Sequence, residues 1–390
     1  MTASVSASDR GGAPGAPLPI DIRGMAAISC FGGDRQAQVI AVREGRTGLR
    51  LANPDPWGVP TGPIPDGDDS PRRSLTLTEQ LADALIADAR MSRAEAAECA
   101  VFGGTTTGSG ATEEEQLVRS TEPWGGPGRL TARLAAAIGA KGPASTYTTA
   151  CTSSAIGLLM AVRMIRQGLV PRAVVFGLDL LMKITVVGFK QLQLYSTTAC
   201  RPFDRDRDGL QIGEAVVGMV LEGRRGPRTA RFEVLDGAVV HDPGHIAAGS
   251  SDGVVAAKVM NDAIRRSGLE PGEIRSIKAH GTGTGLNDLS ELRGLSGSFG
   301  DRVPPFASLK GFFGHTLGAS SILETVIWVW CLEQGFLPAS CGFQNRLEES
   351  PLVPITRPIE THGRPGVDLY NSFGFGGTSV SYLVADRGAR

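Results

Sequence analysis

Thr149-Ala150-Cys151-Thr152-Ser153-Ser154 runs without a break into the apolar segment Ala155–Ile165. That segment is apolar nearly all round, so it predicts a buried helix rather than an amphipathic surface one. The short β-prone run Ser145–Tyr147 lies just upstream, which places Cys151 at a strand-to-helix turn. A turn of this kind exposes a nucleophile at the end of a sheet, and the helix N-terminus favours its thiolate. Taken alone, the same cysteine could equally be a buried space-filler.

Working outward, Ala173–Leu178 and Ala215–Leu221 are continuous apolar runs, the pattern of strands covered on both faces. Ile20–Met25 predicts a first strand. Leu75–Ala89 predicts a helix with Ser74 or Thr76 as its cap. Ala100–Phe102 leads into the glycine-rich turn Gly103–Gly110, and Thr112–Ser120 and Leu130–Ile138 predict helices. Strands and helices alternate around a buried sheet, which is the α/β class.

The second half repeats the scheme. Phe232–Val240, Ile274–Ala279, Phe306–Ser308, Asp368–Ser372 and Ser379–Ala385 predict strands; Gly253–Ser267, Leu289–Phe299 and Gly318–Gly335 predict helices. Each half carries a short strand, a reactive residue near a helix start and a long buried helix, which suggests internal duplication. Gly223–Thr229, rich in Arg, Gly and Pro, marks the crossover. The expected divisions are a flexible leader over 1–17, a half carrying the nucleophile over 18–228, and a half carrying two histidines over 229–390.

Composition narrows the function. The 390 residues carry a net charge of −1, so no global field points to nucleic acid or an anionic membrane. Only six of the 39 basic residues are lysine. Six cysteines occur, none in a CxxC pair or at metal spacing with histidine, which fits free thiols in a reducing cytoplasm. The segment 1–17 lacks the basic-then-apolar pattern of a secretion signal. The apolar run around Ile322–Leu332 is short for a membrane span and carries Glu324.

Three further segments carry candidate chemistry. His280-Gly281-Thr282-Gly283-Thr284 follows an apolar strand, and ligands meet α/β sheets at strand ends. Lys310-Gly311-Phe312-Phe313-Gly314-His315 places a lysine in an apolar stretch, where a lone charge is costly and demands a partner. Glu291, on the helix after the first motif, is the candidate. Asn371-Ser372-Phe373-Gly374-Phe375-Gly376-Gly377-Thr378 leaves Phe375 room to swing. Singly, these motifs read as well as a turn histidine, a surface lysine beside a core histidine, and an ordinary β-turn.

In this order, the four segments make the chain resemble the β-ketoacyl-[acyl-carrier-protein] synthases of the thiolase superfamily, from about Ile20 to Val384. Arg201-Pro202-Phe203-Asp204-Arg205-Asp206-Arg207-Asp208-Gly209 is similar to a further family segment. The resemblance implies a thiolase-like duplicated α-β-α-β-α layered fold with two mixed five-stranded sheets. It implies a catalytic set of Cys151, His280 and His315, with Lys310 as structural lysine and Glu291 as its glutamate. Two histidines are the pattern of the elongating branch; the initiating synthases carry asparagine in place of the second. Backbone N–H groups of Cys151 and Phe375 would form an oxyanion hole, with Gly374 beside them. Thr282 and Thr284 would bind the phosphopantetheine arm of an acyl-carrier protein. No metal and no cofactor of the enzyme's own is expected.

The implied activity is decarboxylative Claisen condensation with malonyl-acyl-carrier protein, in fatty acid or type II polyketide/polyene biosynthesis. The alternatives are a ketosynthase-like acyltransferase or starter-condensing enzyme, and a non-catalytic subunit like a chain-length factor. A homodimer, or a heterodimer with a chain-length-factor-like homologue, would join sheets at Ala173–Leu178. Lys190, Arg72 and Arg73 are candidate contacts for an acidic carrier. Ile184, Phe189 and Gln193 are candidates to shape the acyl pocket.

Overall fold

The computed structural model describes residues 17–51, 58–68, 70, 72–108, 126–244 and 251–388. Most of the expected leader and the whole expected helix Thr112–Ser120 lie outside these residues. Twelve strands are described: β1 Ile20–Ser29, β2 Cys99–Gly104, β3 Ala144–Tyr147, β4 Arg172–Asp179, β5 Ala215–Gly223, β6 Phe232–His241, β7 Ile274–Lys278, β8 Phe306–Ala307, β9 Phe336–Leu337, β10 Ile359–Glu360, β11 Gly366–Phe373 and β12 Thr378–Asp386.

The main sheet runs β3-β2-β4-β5-β1-β6-β12-β11-β7-β8. Its two ends are copies of each other. In the first five strands, β3, β2 and β4 are parallel, and β4, β5 and β1 alternate in direction. In the second five, β8, β7 and β11 are parallel, and β11, β12 and β6 alternate. Among the described residues, the two mixed five-stranded units are joined in the sheet by the pairs Ile20–Val234 and Asp21–Glu233.

Helices Ser153–Arg166 and Ser320–Glu333 pack against each other in the middle layer. Every residue from Ser320 to Leu332 is buried, as the all-round apolar sequence requires. Helices Arg73–Asp88 and Gly128–Ile138 cover the outer face of the first unit, with Leu77, Leu81, Leu85 and Leu134 inward. Val254–Arg266 and Gly285–Phe299 cover the second, with Val259, Met260, Leu292 and Leu295 inward. The result is the expected α-β-α-β-α layering.

Three local expectations change. β4 pairs along its length with β2 on one side and β5 on the other, so Ala173–Leu178 has no free edge. The outer edge of that unit is β3, where Ala144 and Ser145 are exposed. The helix expected from Leu75 begins at Arg73, so Ser74 lies inside its first turn and no side chain caps it. Thr76 instead donates back to the Arg72 carbonyl at 3.3 Å. Helices Arg35–Arg43 and Lys183–Gln191 are additional to the expected elements.

Candidate active site

Cys151 sits in the 3-10 turn Ala150–Thr152, which leads directly into Ser153–Arg166. Ala150 has φ +52°, a left-handed conformation costly for a residue with a Cβ. Ser153 helps hold it, accepting from the Thr149 N–H at 2.9 Å and donating to the Ala150 carbonyl at 2.6 Å. The second half repeats the device. Leu317 has φ +52°, and the 3-10 turn Leu317–Ala319 leads into Ser320–Glu333. Gly318 stands where the first copy has Cys151, and His315 stands three residues before it.

The two turns are bolted together. Ser321 and Ser372 both donate to the Cys151 carbonyl, at 3.1 and 3.0 Å. Asp179, at the end of β4, accepts from the Gly318 N–H at 2.7 Å and from the Thr106 N–H at 3.0 Å.

His315 Nε2 lies 3.0 Å from Cys151 Sγ. Its Nδ1 accepts the Leu317 N–H at 3.2 Å, which leaves the ring proton on Nε2. His280 projects from the end of β7, its ring centre 5.5 Å from that of His315. Lys310 Nζ donates to its carbonyl at 2.7 Å and faces its Nδ1 at 3.3 Å. An ammonium has no acceptor capacity, so His280 also carries its proton on Nε2. One reactive atom each from Cys151, His280 and His315 lies within 4.8 Å of the other two.

Both imidazoles are neutral. Burial, then the Lys310 charge, lowers His280 well below its ordinary value and lowers His315 to about 3. Burial pushes the Cys151 thiol up to about 11, against the pull of Lys310 and of the backbone N–H groups of Phe375 and Cys151. Cys151 therefore rests as a thiol, with two backbone donors aimed at it.

The histidines make the fold acid-sensitive. Unfolded histidine binds a proton near pH 6.5, whereas His315 in the fold does so only near 3. Between these values the unfolded state holds more protons, so stability falls as pH falls, by about 1.4 kcal/mol per pH unit for each such histidine. Asp179, which burial raises to about 6, binds its proton in the fold first and works in the opposite direction, so the histidine contribution shows as a difference: from pH 7 to pH 5 the urea midpoint of wild type should fall relative to that of His315→Ala. A difference between the two proteins that stays constant over that range would contradict it.

Lys310 is fully buried, and its partner is Glu324 (Nζ to Oε1 2.6 Å), not the expected Glu291. Glu291 instead accepts from the His280 N–H, the Gly281 N–H and the Asn371 amide, at 2.8, 2.8 and 3.0 Å. It clamps the loop that carries His280. Glu324 also holds Lys278, Nζ to Oε2 2.8 Å. Burial alone would raise the Glu324 carboxyl, but the two lysines hold it down to about 2. Lys278 and Glu324 are additions to the expected set. Their signal in the sequence is the one that flagged Lys310, a charge inside an apolar run.

The Arg201–Gly209 segment buttresses the same loop. Asp288 accepts from the N–H groups of Phe203 and Thr282, at 2.7 and 2.9 Å. Arg207 donates to the Gly285 carbonyl at 2.9 Å. Arg73 is no free carrier contact: its guanidinium pairs with the buried Glu214 at 2.7 Å and with Asp66 at 2.9 Å.

A cleft of about 110 Å³ opens onto Cys151, His280 and His315. Thr282 and Thr284 line it, as do Phe189, Leu194, Phe373, Gly374 and Phe375. Phe375 rests on Phe189, ring centres 5.6 Å apart. Its turn closes through Gly374 N–H to the Thr378 carbonyl at 2.8 Å. Gly377 has φ +80°, and a Cβ there would meet the Asp242 carbonyl at 1.9 Å, so only glycine fits. Of the other pocket candidates, Ile184 is 65% exposed and Gln193 is exposed.

A duplicated five-layer fold, with a cysteine at a helix start facing two neutral imidazoles, defines the thiolase-like class. The family model for the β-ketoacyl synthase N-terminal domain matches residues 72–225, and that for the C-terminal domain matches 231–344. The 3-oxoacyl-[acyl-carrier-protein] synthase 2 of Rhizobium meliloti is 31% identical over 335 residues, 78% of each chain. This chain belongs to the β-ketoacyl synthase family. The corresponding protein of Mycobacterium tuberculosis is 31% identical over 266 residues, 63% of this chain and 63% of that one. The chain thus spans less than two thirds of the length of that relative. Among solved structures, the ishigamide ketosynthase/chain length factor aligns with TM-score 0.85 and 26% identity, over 96% of this chain and 100% of that one. A ketosynthase in complex with its chain length factor from Xenorhabdus doucetiae aligns with TM-score 0.78 and 28% identity, over 95% and 98%.

Proposed function

We propose that this protein is an elongating β-ketoacyl synthase, condensing an acyl group on Cys151 with malonyl-acyl-carrier protein. The observation that carries the reading is the pair of Nε2–H donors on His280 and His315, converging beside the sulfur. Both imidazoles turn an N–H toward that space, with the Lys310 ammonium behind His280, which favours a bound anion.

Cys151 attacks an acyl-carrier thioester. A C–S bond forms to the enzyme, the carrier C–S bond breaks, and the cysteine proton leaves with the carrier thiol. The N–H groups of Cys151 and Phe375 would receive the tetrahedral oxyanion. In malonyl-carrier protein the bond to the carboxylate then breaks. Carbon dioxide departs, and the electron pair becomes an enolate whose oxygen takes the two Nε2–H bonds. Neutral imidazoles hold that charge without readily protonating the carbanion. The carbanion attacks the acyl carbonyl, the Cys151 C–S bond breaks with the electron pair on sulfur, the thiolate takes a proton from water to restore the thiol, and the β-ketoacyl carrier is released.

Thr282 and Thr284 line the mouth and would bind the phosphopantetheine arm, which the carrier supplies. Phe375 would gate the acyl channel between 18–228, which carries the nucleophile, and 229–390, which carries both histidines. Among the described residues no helix is long and apolar enough to cross a membrane, and all six cysteines are free, which supports a cytoplasmic setting. The exposed edge β3 is where a second copy or a chain-length-factor-like homologue would add its sheet.

Intact-mass analysis of malonyl-carrier protein incubated with the enzyme, with and without an acyl-carrier donor, tests the reading. We expect acetyl-carrier protein without donor and β-ketoacyl-carrier protein with it. His280→Ala and His315→Ala should each slow decarboxylation at least about 100-fold, the usual effect of losing one oxyanion donor. Acylation of Cys151 with malonyl-carrier protein untouched would replace this reading with the acyltransferase one.

A further inference from the structure

Lys278 is 1% exposed and lies two residues before His280 on β7. The chain uses arginine for nearly all its positive charge, yet two of its six lysines, Lys278 and Lys310, are buried around one carboxylate. Each oxygen of Glu324 has its own ammonium. Oε1 takes Lys310 Nζ at 2.6 Å and the Ser320 hydroxyl at 2.7 Å; Oε2 takes Lys278 Nζ at 2.8 Å. Lys278 Nζ also donates to the Asn371 carbonyl at 2.6 Å. Asn371 lies on β11, two residues before Phe373, whose ring stands 5.7 Å from that of His280.

Burying a second ammonium is costly unless it is paired and bonded. For holding Lys310 alone, Glu324 would suffice. What Lys278 adds is constraint. A carboxylate gripped at both oxygens cannot turn about its terminal bond. Its Oε1 therefore stays where it keeps Lys310 Nζ on His280 Nδ1, and that contact puts the ring proton on Nε2.

We infer that Lys278 is a positioning residue for the decarboxylation half of the reaction: through Glu324 and Lys310 it locks the His280 tautomer that presents Nε2–H to the enolate. The inference rests on the reading above. Acylation of Cys151 feels the relay only through the charge of Lys310, which Lys278→Met leaves in place, and the N–H groups of Cys151 and Phe375 lie outside it. The two half-reactions should therefore separate.

The test is Lys278→Met, a side chain of similar length without charge. Cys151 acylation by an acyl-carrier donor, followed by intact mass, should stay within about twofold of wild type. Malonyl-carrier decarboxylation should fall about 10- to 100-fold, the effect of losing one charged hydrogen bond. In 15N-histidine NMR the unprotonated Nδ1 signal of His280, assigned by its loss in His280→Ala, should give way to a tautomer mixture. If methionine prevents folding, Lys278→Gln keeps a donor toward Asn371 and should show the same separation in weaker form. Unchanged decarboxylation, or both half-reactions falling together with the tautomer signal unmoved, overturns the inference. Should wild type leave malonyl-carrier protein untouched, the synthase reading falls instead, and the tautomer signal alone still decides the role of Lys278.

Discussion

Cys151→Ala is expected to abolish condensation while leaving malonyl-carrier decarboxylation intact. Alanine provides no atom to accept the acyl group, and among the described residues no other cysteine borders the cleft. Cys200 is the nearest in kind, but it is buried with its sulfur turned to the Thr282 carbonyl at 3.7 Å. The enolate site survives the change. His315 keeps its Leu317 N–H on Nδ1 and His280 keeps Lys310, so both Nε2–H donors remain. His315 Nε2 is freed from the sulfur it now meets at 3.0 Å and becomes fully available to the thioester oxygen. Incubation with an acyl-carrier donor should add no mass to the variant, and malonyl-carrier protein should still convert to acetyl-carrier protein. An acylated variant would place the nucleophile elsewhere. Loss of decarboxylation would show that the thiol takes part in the carbon–carbon cleavage.

Glu324→Leu should carry the largest stability cost of any single change in the site. It leaves Lys278 and Lys310, both essentially without solvent contact, facing each other with no counterion between them. Breaking a buried ion pair in this way costs about 3–5 kcal/mol. The sign with pH is definite. Glu324 titrates near 2 in the fold against about 4.5 unfolded, so its contribution is fully present above pH 4.5 and disappears as pH falls toward 2. Urea unfolding at pH 7.5 should show the loss, and Glu324→Gln, whose amide oxygen can still bond one of the two ammoniums, should lose less. Adding Lys278→Met to Glu324→Gln should recover part of that loss, because one unpaired charge goes with the pair. A Glu324→Leu variant within about 1 kcal/mol of wild type would mean that one lysine is neutral in the fold.

The α/β class, the duplication and nearly every strand could be read from unbroken apolar runs such as Ala173–Leu178 and Ala215–Leu221, because a doubly covered strand has no polar face to confuse the pattern. Cys151, His280 and His315 could be singled out by their glycine-rich or helix-opening surroundings. The geometry that makes them a set lies outside any sequence pattern, because it depends on two duplicated turns, Ala150–Thr152 and Leu317–Ala319, being packed face to face. The helix Lys183–Gln191 escaped because only Val186 on it is buried.

The instructive error is Glu291. It is close in sequence to His280 and suits Lys310 by charge, yet it spends its oxygens on backbone N–H groups. In the sequence Glu324 stands out only as a charge within an apolar run. By itself the sequence determined the α/β class, the family motifs and, through the resemblance those motifs carry, the expected layering and the candidates Cys151, His280 and His315, because these follow from local pattern and residue type. Which carboxylate meets which lysine, which ring nitrogen keeps its proton and which strand forms the open edge were decided by tertiary structure alone. Each depends on atoms brought within 3 or 4 Å from segments far apart in the chain, and burial makes that pairing obligatory.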